Sequence, residues 1–473
     1  MSRTRLDLSA AAGLDEGSLP EQLAIRPVAG PVHFTVRPPG SKSLTNRALL
    51  LAALATGKST LRGALVDADD AQVMIAALRQ LGAGIEVTSD HNALSTITVD
   101  GVGGSWKLAT GQSLTLKLNN AGTATRFLTA AALLAASGSS IIIDGNARMR
   151  QRPIGDLVDA LNQLTAPHRC ASYLTASGYP PVRIEPPPPG LLNGRRVEFG
   201  PLQSSQFVSA VMLVAAAVPG GLTVGFRNAA GHESITSESY IRMTLGLLQR
   251  LGVSMLGTPP ADVHIGATNT ALAAFDYPVE ADASGASYFV AIASIIPGST
   301  ATIEGVPADS LQGDAALATL LAATTQRGLP IDADFSDMPD VAMTAAVAAA
   351  FVPPVLPGGP CPTSTLRGLK TLRVKETDRI AALQTELAKI GVKVTAFADG
   401  DDEAITVTPP TGGIDCSPSV GEVEFDTYDD HRMAMSLALI GLRRQRVIIN
   451  DPRCVGKTYR TFWRDLARAT GLS

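Results

Sequence analysis

Six alanine-rich segments, each with a polar start, recur along the chain of 473 residues. The starts lie near Ser43, Gly122, Ser204, Ser284, Asp340 and Asp430. Their spacing is roughly 80 residues, with one short interval. Several segments, such as residues 128–134, 208–214 and 344–350, are apolar around nearly their whole circumference. Because a helix without a polar face has to be buried, the pattern predicts six similar units, each built around one buried helix.

A second recurring pattern joins a leucine-rich helix end, a glycine and a β-branched run. It occurs at residues 78–87, 248–253 and 387–394. Glycine at this position lets the chain leave a helix in a left-handed turn, and the alternation that follows is typical of a strand. We therefore expect each unit to hold a buried helix, an outer amphipathic helix and several strands, which is an α/β fold.

Composition excludes several classes of protein. The length predicts two or more domains. The formal net charge of −4 and the aromatic content of 4% exclude a basic, stacking surface for nucleic acids. Cys170, Cys361, Cys416 and Cys454 form no CxxC pair, which disfavours a zinc site or a disulfide framework. No apolar run suits a membrane helix, and residues 1–20 lack the apolar core of a signal peptide. We expect a soluble, cytoplasmic protein.

Several helix starts carry groups that bind anions. Lys42, Ser43 and Arg47 surround the first start, where unpaired N–H groups and the helix dipole favour a phosphate or carboxylate. Gly122 allows close approach of a backbone to an anion, although an ordinary capped turn explains it equally well. The hydroxyls and amides at 203–206 exceed what one helix cap needs.

The other charged runs have both a structural and a functional interpretation. Arg152 precedes a proline and a helix, so it can bind a carboxylate in a bidentate way, or it can belong to a solvated strand. Asp340 at a helix start is favourable for stability alone. The run RVKETDR at 373–379 is either a solvated helix face or a binding cluster. A surface explanation is poor for His431 and Arg432, because an apolar helix follows them.

Four of these runs, in this order along the chain, resemble the signatures of the EPSP synthase (5-enolpyruvylshikimate-3-phosphate synthase) family. They are NAGTA at 120–124, RPIG at 152–155, RVKETDR at 373–379 and DDHRMA at 429–434. The resemblance covers residues 22 to 467. It implies two globular domains, each of three βαβαββ units with buried parallel helices, like an inverted α/β barrel. Residues 1–40 with 280–473 are expected to form one domain and residues 41–279 the other, with the active-site cleft between them.

The resemblance also implies the reaction, which is transfer of the enolpyruvyl group of phosphoenolpyruvate to the 5-hydroxyl of shikimate 3-phosphate with release of phosphate. The residues expected to bind shikimate 3-phosphate are Ser43, Arg47, Ser204, Ser205, Gln206, Ser237, Asp340 and Lys375. Those expected to bind phosphoenolpyruvate are Lys42, Gly122, Arg152, Gln206, Arg379, Arg432 and Lys457. Asp340 is expected to be the base for the 5-hydroxyl and Glu376 the acid for the methylene carbon, with Lys42 sharing the proton transfers and His431 assisting.

The resemblance implies no metal and no organic cofactor, and we expect a monomer. Because Gly122 is retained, we also expect sensitivity to glyphosate, the family's phosphonate inhibitor. Two positions depart from the family pattern. Thr371 stands where the family often has Asn or Ser, which puts one substrate contact in question. Phe127 replaces a proline that frequently follows the arginine of the NAGTA segment, which affects the packing behind Gly122.

Two alternative functions stay open at this point. One is the related enolpyruvyl transferase that acts on UDP-N-acetylglucosamine, although residues 145–153 lack the cysteine typical of that enzyme. The other is a non-catalytic anion-binding protein on the same scaffold, which the full set of candidate acids and bases disfavours.

Overall fold

The computed structural model describes residues 4–89, 95–200, 204–226, 238–266, 272–400 and 402–472. The chain divides into two compact units. The terminal unit comprises residues 1–39 and 281–473, and the central unit comprises residues 40–280. No helix within the described ranges is long and apolar enough to cross a bilayer.

The strands of the described ranges are short. They are β1 (Arg5–Asp7), β2 (Gln22–Ile25), β3 (His33–Val36), β4 (Lys58–Arg62), β5 (Gly84–Ser89), β6 (Ser95–Asp100), β7 (Ser113–Lys117), β8 (Ser140–Asp144), β9 (Ala171–Tyr173), β10 (Val182–Ile184), β11 (Arg196–Phe199), β12 (Leu222–Phe226), β13 (Met255–Leu256), β14 (Val263–Ile265), β15 (Asp276–Pro278), β16 (Thr300–Ile303), β17 (Asp332–Asp334), β18 (Ser364–Arg367), β19 (Lys393–Asp399), β20 (Asp402–Thr408), β21 (Val423–Phe425) and β22 (Val447–Asn450).

The helices alternate with these strands. They are α1 (Leu8–Ala11), α2 (Lys42–Leu54), α3 (Asp69–Gln80), α4 (Gly122–Ala131), α5 (Gly155–Thr165), α6 (Gln206–Ala215), α7 (Glu238–Arg250), α8 (Ala283–Ile295), α9 (Ala316–Ala323), α10 (Ala342–Ala349), α11 (Arg379–Ala388), α12 (His431–Ala438) and α13 (Phe462–Thr470).

The sheets of the central unit repeat one strand order. In β7–β8–β10–β9 and in β11–β12–β14–β13, a parallel pair continues into an antiparallel hairpin. The parallel strands are joined through α4 and α6, because a parallel pair needs a crossover connection. Each of these segments runs βαβαββ, which confirms the predicted repeat.

The first repeat of each unit is completed by a strand from a distant part of the chain. In the central unit β15, the last strand, pairs in parallel with β4, the first. In the terminal unit β3 pairs in parallel with β16, although the whole central unit separates them in sequence. The chain passes between the units next to these strands. There the Ser41 N–H donates to the Glu280 carbonyl at 2.8 Å, and the Asp282 N–H donates to the Pro39 carbonyl at 2.8 Å.

The terminal unit differs from the predicted repeat in two places. The sheet formed by β3 and β16 has two strands, because only residues 324–331 separate α9 from β17 and leave no room for a hairpin. In β1–β2–β22–β21 the edge strand β1 runs parallel to β2, since α1 connects them instead of a tight turn. The sheet β17–β18–β20–β19 has the full pattern.

Three helices in each unit are buried along nearly their whole length: α2, α4 and α6 in the central unit, and α8, α10 and α12 in the terminal unit. Within the terminal unit α10 packs on both α8 and α12. Hydroxyl groups in this core satisfy one another, since the Oγ1 of Thr344 lies 3.0 Å from the Oγ of Ser287 and 3.4 Å from that of Ser436. The predicted buried helices are confirmed, and their polar first turns carry most of the candidate site residues.

Candidate active site

The charged cluster of the terminal unit is assembled from helix starts. Asp340 lies in the 3₁₀ turn Pro339–Val341, immediately before α10. Arg379 is the first residue of α11, and His431 and Arg432 open α12. Asp430 caps α12 by accepting the backbone N–H of Arg432 at 2.9 Å. Carboxylates are favourable at such positions because they meet free N–H groups and the positive end of the helix dipole.

Arg379 is the centre of this cluster. Its side chain is 1% exposed, and its Nε donates to Asp430 Oδ2 at 2.8 Å. Its Nη1 donates to Asp340 Oδ1 at 3.1 Å and its Nη2 to Glu376 Oε2 at 3.0 Å. Burial opposes the charge of Arg379, yet Asp430, Glu376 and Asp340 raise its pKa above the usual range. This guanidinium therefore stays charged and fixes three carboxylates relative to one another.

Asp340 is contacted by three cations. Besides Arg379, Arg432 Nη2 donates to Asp340 Oδ2 at 3.0 Å, and Lys375 Nζ lies 3.5 Å from Oδ1. Burial lowers the pKa of Lys375. Burial also opposes the charge of Arg432, but Asp340, Tyr288, Asp282 and Asp314 together raise its pKa well above the usual value. The carboxylate keeps 16% of its side chain exposed, so a ligand can reach it.

Glu376 and Lys457 form the other side of the same cluster. Lys457, at the end of the 3₁₀ helix Pro452–Lys457, donates to Glu376 Oε1 at 2.8 Å. Glu376 is therefore shared between Lys457 and Arg379. An anion that binds either cation competes with Glu376 for the same N–H donors.

The turn before α12 has a strained backbone that a buried glutamate holds in place. Tyr428 and Asp429 have φ angles of 58° and 54°, which is uncommon for residues other than glycine. Glu386 of α11, whose side chain is fully buried, accepts the Tyr428 hydroxyl at 2.7 Å and the Asp426 N–H at 2.9 Å. Lys389 also donates to it at 2.7 Å. Glu386 thus links α11 to the turn that precedes the site residues of α12.

His431 is fully buried at the start of α12, as deeply as Arg379. Its side chain is 1% exposed, and its Nδ1 lies 4.0 Å from Asp430 Oδ1. This position supports packing under the start of α12 more directly than contact with a substrate.

In the central unit, Lys42 is the first residue of α2 and Ser43 the second. Lys42 Nζ lies 3.3 Å from Asp70 Oδ2 of α3, and the side chain of Asp70 is only 4% exposed. Ser43 is half-buried. Sequence reasoning missed Asp70, although an acidic pair in the first turn of a helix is a visible signal for such a partner.

Arg47 makes more contacts with the protein than expected for a ligand-binding residue. Its Nε donates to Thr244 Oγ1 at 2.8 Å and its Nη1 to the Ser43 carbonyl at 3.0 Å. Its Nη2 donates to Ser209 Oγ and to the Tyr240 carbonyl, at 3.3 and 3.2 Å. Burial lowers its pKa to about 10. Four of the five guanidinium N–H groups are thus used within the protein, which leaves one for a ligand.

Phe127 packs against this arginine. The guanidinium carbon of Arg47 lies 5.3 Å from the centre of the Phe127 ring, which is fully buried. A cation over an aromatic face is attracted by the ring's electrons. The phenylalanine at position 127, where the family often has proline, therefore packs on Arg47 as well as within the helix that begins at Gly122.

Gly122 and Arg152 are in close contact. A Cβ atom at Gly122 would lie 2.8 Å from Arg152 Nη2, closer than real Cβ contacts allow. The Nη1 of Arg152 is 3.4 Å from both the carbonyl and the side-chain oxygen of Asn120. Arg126, which sequence reasoning also missed, bridges the two segments by donating to the carbonyls of Gly122 and Pro153 at 3.3 and 2.8 Å. The sequence signal for this role was the position of Arg126, one helical turn after Gly122.

The start of α6 provides hydroxyls and one amide. Ser205 precedes α6 and is buried, whereas Ser204 and Gln206 are half-buried. The Gln206 N–H donates to Ser204 Oγ at 3.3 Å, whereas the N-cap residue Ser205 makes no side-chain capping bond. Ser237 lies outside the described residues.

The structure thus brings the predicted residues together in two groups, one in each unit. In the terminal unit, Asp340, Lys375, Glu376, Arg379, Arg432 and Lys457 form one connected network. The central unit holds Lys42, Ser43, Arg47, Gly122, Arg152, Ser204, Ser205 and Gln206, with contacts at Gly122–Arg152, Ser43–Arg47 and Ser204–Gln206.

These features can be compared with known proteins. A family model described as EPSP synthase (3-phosphoshikimate 1-carboxyvinyltransferase) matches residues 28–466. The chain belongs to the EPSP synthase family. Two similar members, both named 3-phosphoshikimate 1-carboxyvinyltransferase, are 38% identical to it. The relative from Photobacterium profundum aligns over 94% of this chain and 98% of its own length, and that from Serratia proteamaculans over 96% and 100%.

Solved structures agree with this family in fold. An EPSP synthase from Acinetobacter baumannii superimposes with a TM-score of 0.71 at 22% identity, covering 95% of this chain and 98% of the other. An enolpyruvyl transferase from Streptomyces tendae gives a TM-score of 0.64 at 17% identity, covering 95% and 97%. At these identities the structures support the EPSP synthase fold and no finer conclusion.

Proposed function

We propose that this chain transfers the enolpyruvyl group of phosphoenolpyruvate to the 5-hydroxyl of shikimate 3-phosphate and releases phosphate. The observation that carries this proposal is the Asp340 carboxylate, largely buried and contacted by Lys375, Arg379 and Arg432. Family membership agrees with it, since the similar members carry the name of this activity. We further propose that residues of both units act on the same two substrates.

Phosphoenolpyruvate carries a phosphate and a carboxylate, and its proposed ligands are Lys42, Gly122, Arg152, Gln206, Arg379, Arg432 and Lys457. Arg152 suits a carboxylate or phosphate because a guanidinium pairs with two oxygens at once, and the bare Gly122 lets the anion approach the backbone. Lys457 donates to Glu376 in this structure, so the incoming anion would take over that lysine. Binding of the anion and release of Glu376 are then one event.

Shikimate 3-phosphate carries a phosphate, a carboxylate and hydroxyls, which fit the remaining groups. Ser43, Ser204, Ser205, Gln206 and Ser237 offer hydroxyls and an amide, and Lys375 a charge. Arg47 contributes at most one N–H, since Thr244, Ser209 and two carbonyls take the rest. Its main role in this proposal is to hold α2, α6 and α7 together.

Thr371 supports a contact with this substrate despite its departure from the family pattern. Its Oγ1 is buried and has no hydrogen-bond partner among the described residues. A buried hydroxyl without a partner is costly, and a substrate hydroxyl or carboxylate would satisfy it.

The chemistry requires three proton transfers, one at the 5-oxygen and two at C3, and the exchange of phosphate for the 5-oxygen at C2. The 5-oxygen bonds to C2 of phosphoenolpyruvate while its proton passes to Asp340, and C3 gains a proton from Glu376. Loss of the phosphate from C2 and return of one C3 proton to the Glu376 carboxylate then restore the double bond in the product, and the proton held by Asp340 leaves with the phosphate. Lys42 lies beside Asp70 and supplies a positive charge for the leaving phosphate. A general base or acid at these positions contributes about 10²- to 10⁴-fold in rate.

The decisive experiment is release of inorganic phosphate from phosphoenolpyruvate with different acceptors. We expect release with shikimate 3-phosphate and none with UDP-N-acetylglucosamine or without acceptor. Release only with the nucleotide sugar would favour the related transferase. Folded protein that binds both substrates without releasing phosphate would favour a non-catalytic anion-binding protein. The cytoplasmic location, the monomeric state and the sensitivity to glyphosate are further parts of this proposal.

Asp340→Asn tests the base. We expect turnover to fall by about 10²- to 10⁴-fold while calorimetry still detects binding of shikimate 3-phosphate. The matched control is Asp332→Asn, because Asp332 is an exposed carboxylate of the same unit that pairs with Arg367. Near-normal turnover in Asp340→Asn would exclude this residue as the base.

A further inference from the structure

We propose that Asp314, a buried carboxyl group on the turn that packs against the turn of Asp340, sets the pH range over which Asp340 accepts a proton. The inference deepens the proposed function, because it concerns the base of that reaction. Asp314 touches no substrate in this proposal, so it is a positioning residue that acts through Asp340.

The chain holds Asp314 firmly beside the site. Asp314 lies in the 3₁₀ turn Gly313–Ala315, which packs on the start of α8 and on the turn that carries Asp340. The preceding Gln312 ties this turn to α8 from both sides. Its Oε1 accepts the Ala283 N–H at 3.0 Å, and its Nε2 donates to the Ala281 carbonyl at 2.8 Å. The position of the carboxyl group is therefore built into the fold.

The surroundings of Asp314 are unusual for an aspartate. The residue is 6% exposed, and the hydroxyl of Ser284 donates to its Oδ2. Three charged groups face it, namely Asp340 from the turn before α10, Arg432 from α12 and Asp282 from the cap of α8. Burial first, and then the charge of Asp340, raise the pKa of Asp314 from 3.8 to about 7. Two carboxyl groups that repel each other in this way do not ionise independently.

The repulsion between Asp314 and Asp340 affects how readily Asp340 takes up a proton. Lys375, Arg379 and Arg432 all favour the charged form of Asp340 and so oppose its uptake of a proton. An ionised Asp314 acts in the opposite direction, because the pair then gains by taking up a proton. The proton of the 5-hydroxyl still passes to Asp340 alone. Above neutral pH Asp314 makes Asp340 a stronger base, and below it the neutral Asp314 has little effect.

The kinetic test compares the wild type with Asp314→Asn across pH. We expect the turnover number of the wild type divided by that of Asp314→Asn to be near one at about pH 5.5, where position 314 is neutral in both proteins. The ratio should rise to roughly tenfold above about pH 8, as for a base weakened by about one pKa unit. The KM values for both substrates should change little. A ratio independent of pH would show a structural role only and would overturn the inference, as would wild-type turnover at every pH.

Ser284→Ala and Asp309→Asn complete the kinetic test. The Ser284 hydroxyl favours the charged form of Asp314, so Ser284→Ala should move the inflection of the pH profile to higher pH. A shift in the other direction would contradict the arrangement. Asp309 is an exposed carboxylate in the same loop, and its amide variant should match the wild type.

A titration that needs no activity separates this inference from the proposed function. The carboxyl ¹³C resonance of Asp314, assigned by its loss in Asp314→Asn, should titrate near neutral pH. In Asp340→Asn the midpoint should fall, because the negative charge that raises it has been removed. An unchanged midpoint overturns the coupling even if the protein is an active transferase. A wild type that releases no phosphate overturns the proposed function, and the titration still decides the pair.

Discussion

Gly122→Ala tests whether the contact between α4 and Arg152 forms part of an anion site. The added methyl carbon would lie 2.8, 3.0 and 3.1 Å from Nη2, Nη1 and Cζ of Arg152. Ordinary contacts begin at 3.4 Å, so the nearest nitrogen must retreat by 3.4 − 2.8 = 0.6 Å. Because three atoms of one planar group are met together, rotation of a single N–H does not relieve the contact and the whole guanidinium has to move.

A displacement of this size disturbs a bidentate pair, whose strength depends on two parallel hydrogen bonds. We expect the KM for phosphoenolpyruvate to rise by about 10- to 100-fold, equivalent to about 1.4 to 2.7 kcal/mol of binding free energy. The KM for shikimate 3-phosphate and kcat should each change by less than about threefold, since Asp340 is untouched. Thermal stability should be unaffected, because the displaced group is the end of a flexible side chain.

Steady-state phosphate release with one substrate varied at a time measures these parameters. The matched control is Gly155→Ala, at the first position of α5, where a Cβ atom would meet the Cα of Gly178 at 3.6 Å and the Tyr173 hydroxyl at 3.7 Å. These are ordinary contacts, and this variant should behave as the wild type. An unchanged KM for phosphoenolpyruvate in Gly122→Ala would refute the assignment of Gly122 and Arg152 to that substrate.

Three further predictions concern buried polar groups. Arg47→Lys should lower the free energy of unfolding, measured by urea denaturation, by about 2–4 kcal/mol, because lysine cannot reproduce the hydrogen bonds of Arg47 to Thr244, Ser209 and Tyr240. An unchanged urea midpoint would show that these hydrogen bonds do not stabilise the fold. Asp314→Asn should gain thermal stability relative to the wild type as the pH rises from about 4 to 8. Because the pKa of Asp314 is raised from 3.8 to about 7, the stability that its neutral form gives the wild type is fully present below pH 3.8 and is lost as the pH rises through about 7. A difference in melting temperature between the two proteins that does not change with pH would disprove the shift. Glu386→Gln should lower the free energy of unfolding by about 1–3 kcal/mol and speed amide hydrogen exchange at Tyr428, whose hydroxyl donates to Glu386. Unaltered exchange at Tyr428 would show that Glu386 does not hold the strained turn.

Periodicity and motif order were sufficient to predict much of this fold. A segment such as 344–350, with no polar face, has nowhere to lie except in a core, and α10 is buried from Ala342 to Ala349. The missing hairpin between α9 and β17 was not predicted, because only the observed bounds of α9 and β17 show that residues 324–331 are too few to form one. The parallel direction of the edge strand β1 could not be predicted either, because the segment between β1 and β2 is long enough for a short helix or for a tight turn.

The candidate site was predicted less completely, because sequence shows which groups are present and not which partners they choose. Arg47 is an example, since its bond to Thr244 joins residues 197 positions apart and consumes a donor expected for substrate. Asp70 and Asp314 were missed for the same reason. Asp70 had only the weak signal of an acidic pair in the first turn of a helix, and Asp314 had none; their burial next to Lys42 and near Asp340 is what distinguishes them.

The strands shared across the sequence make the central unit a closed insert. Its first and last residues are neighbours, since Ser41 bonds to Glu280, and the flanking residues Pro39 and Asp282 are bonded in the same way. Residues 40–280 therefore form one uninterrupted segment, and Pro39 and Asp282, which flank it, lie close together in the terminal unit. Every strand pairing of the described residues lies within one unit, including β15 with β4 and β3 with β16. The chain thus consists of two units, one inserted into the other, whose sheets are each complete within the unit across the described ranges.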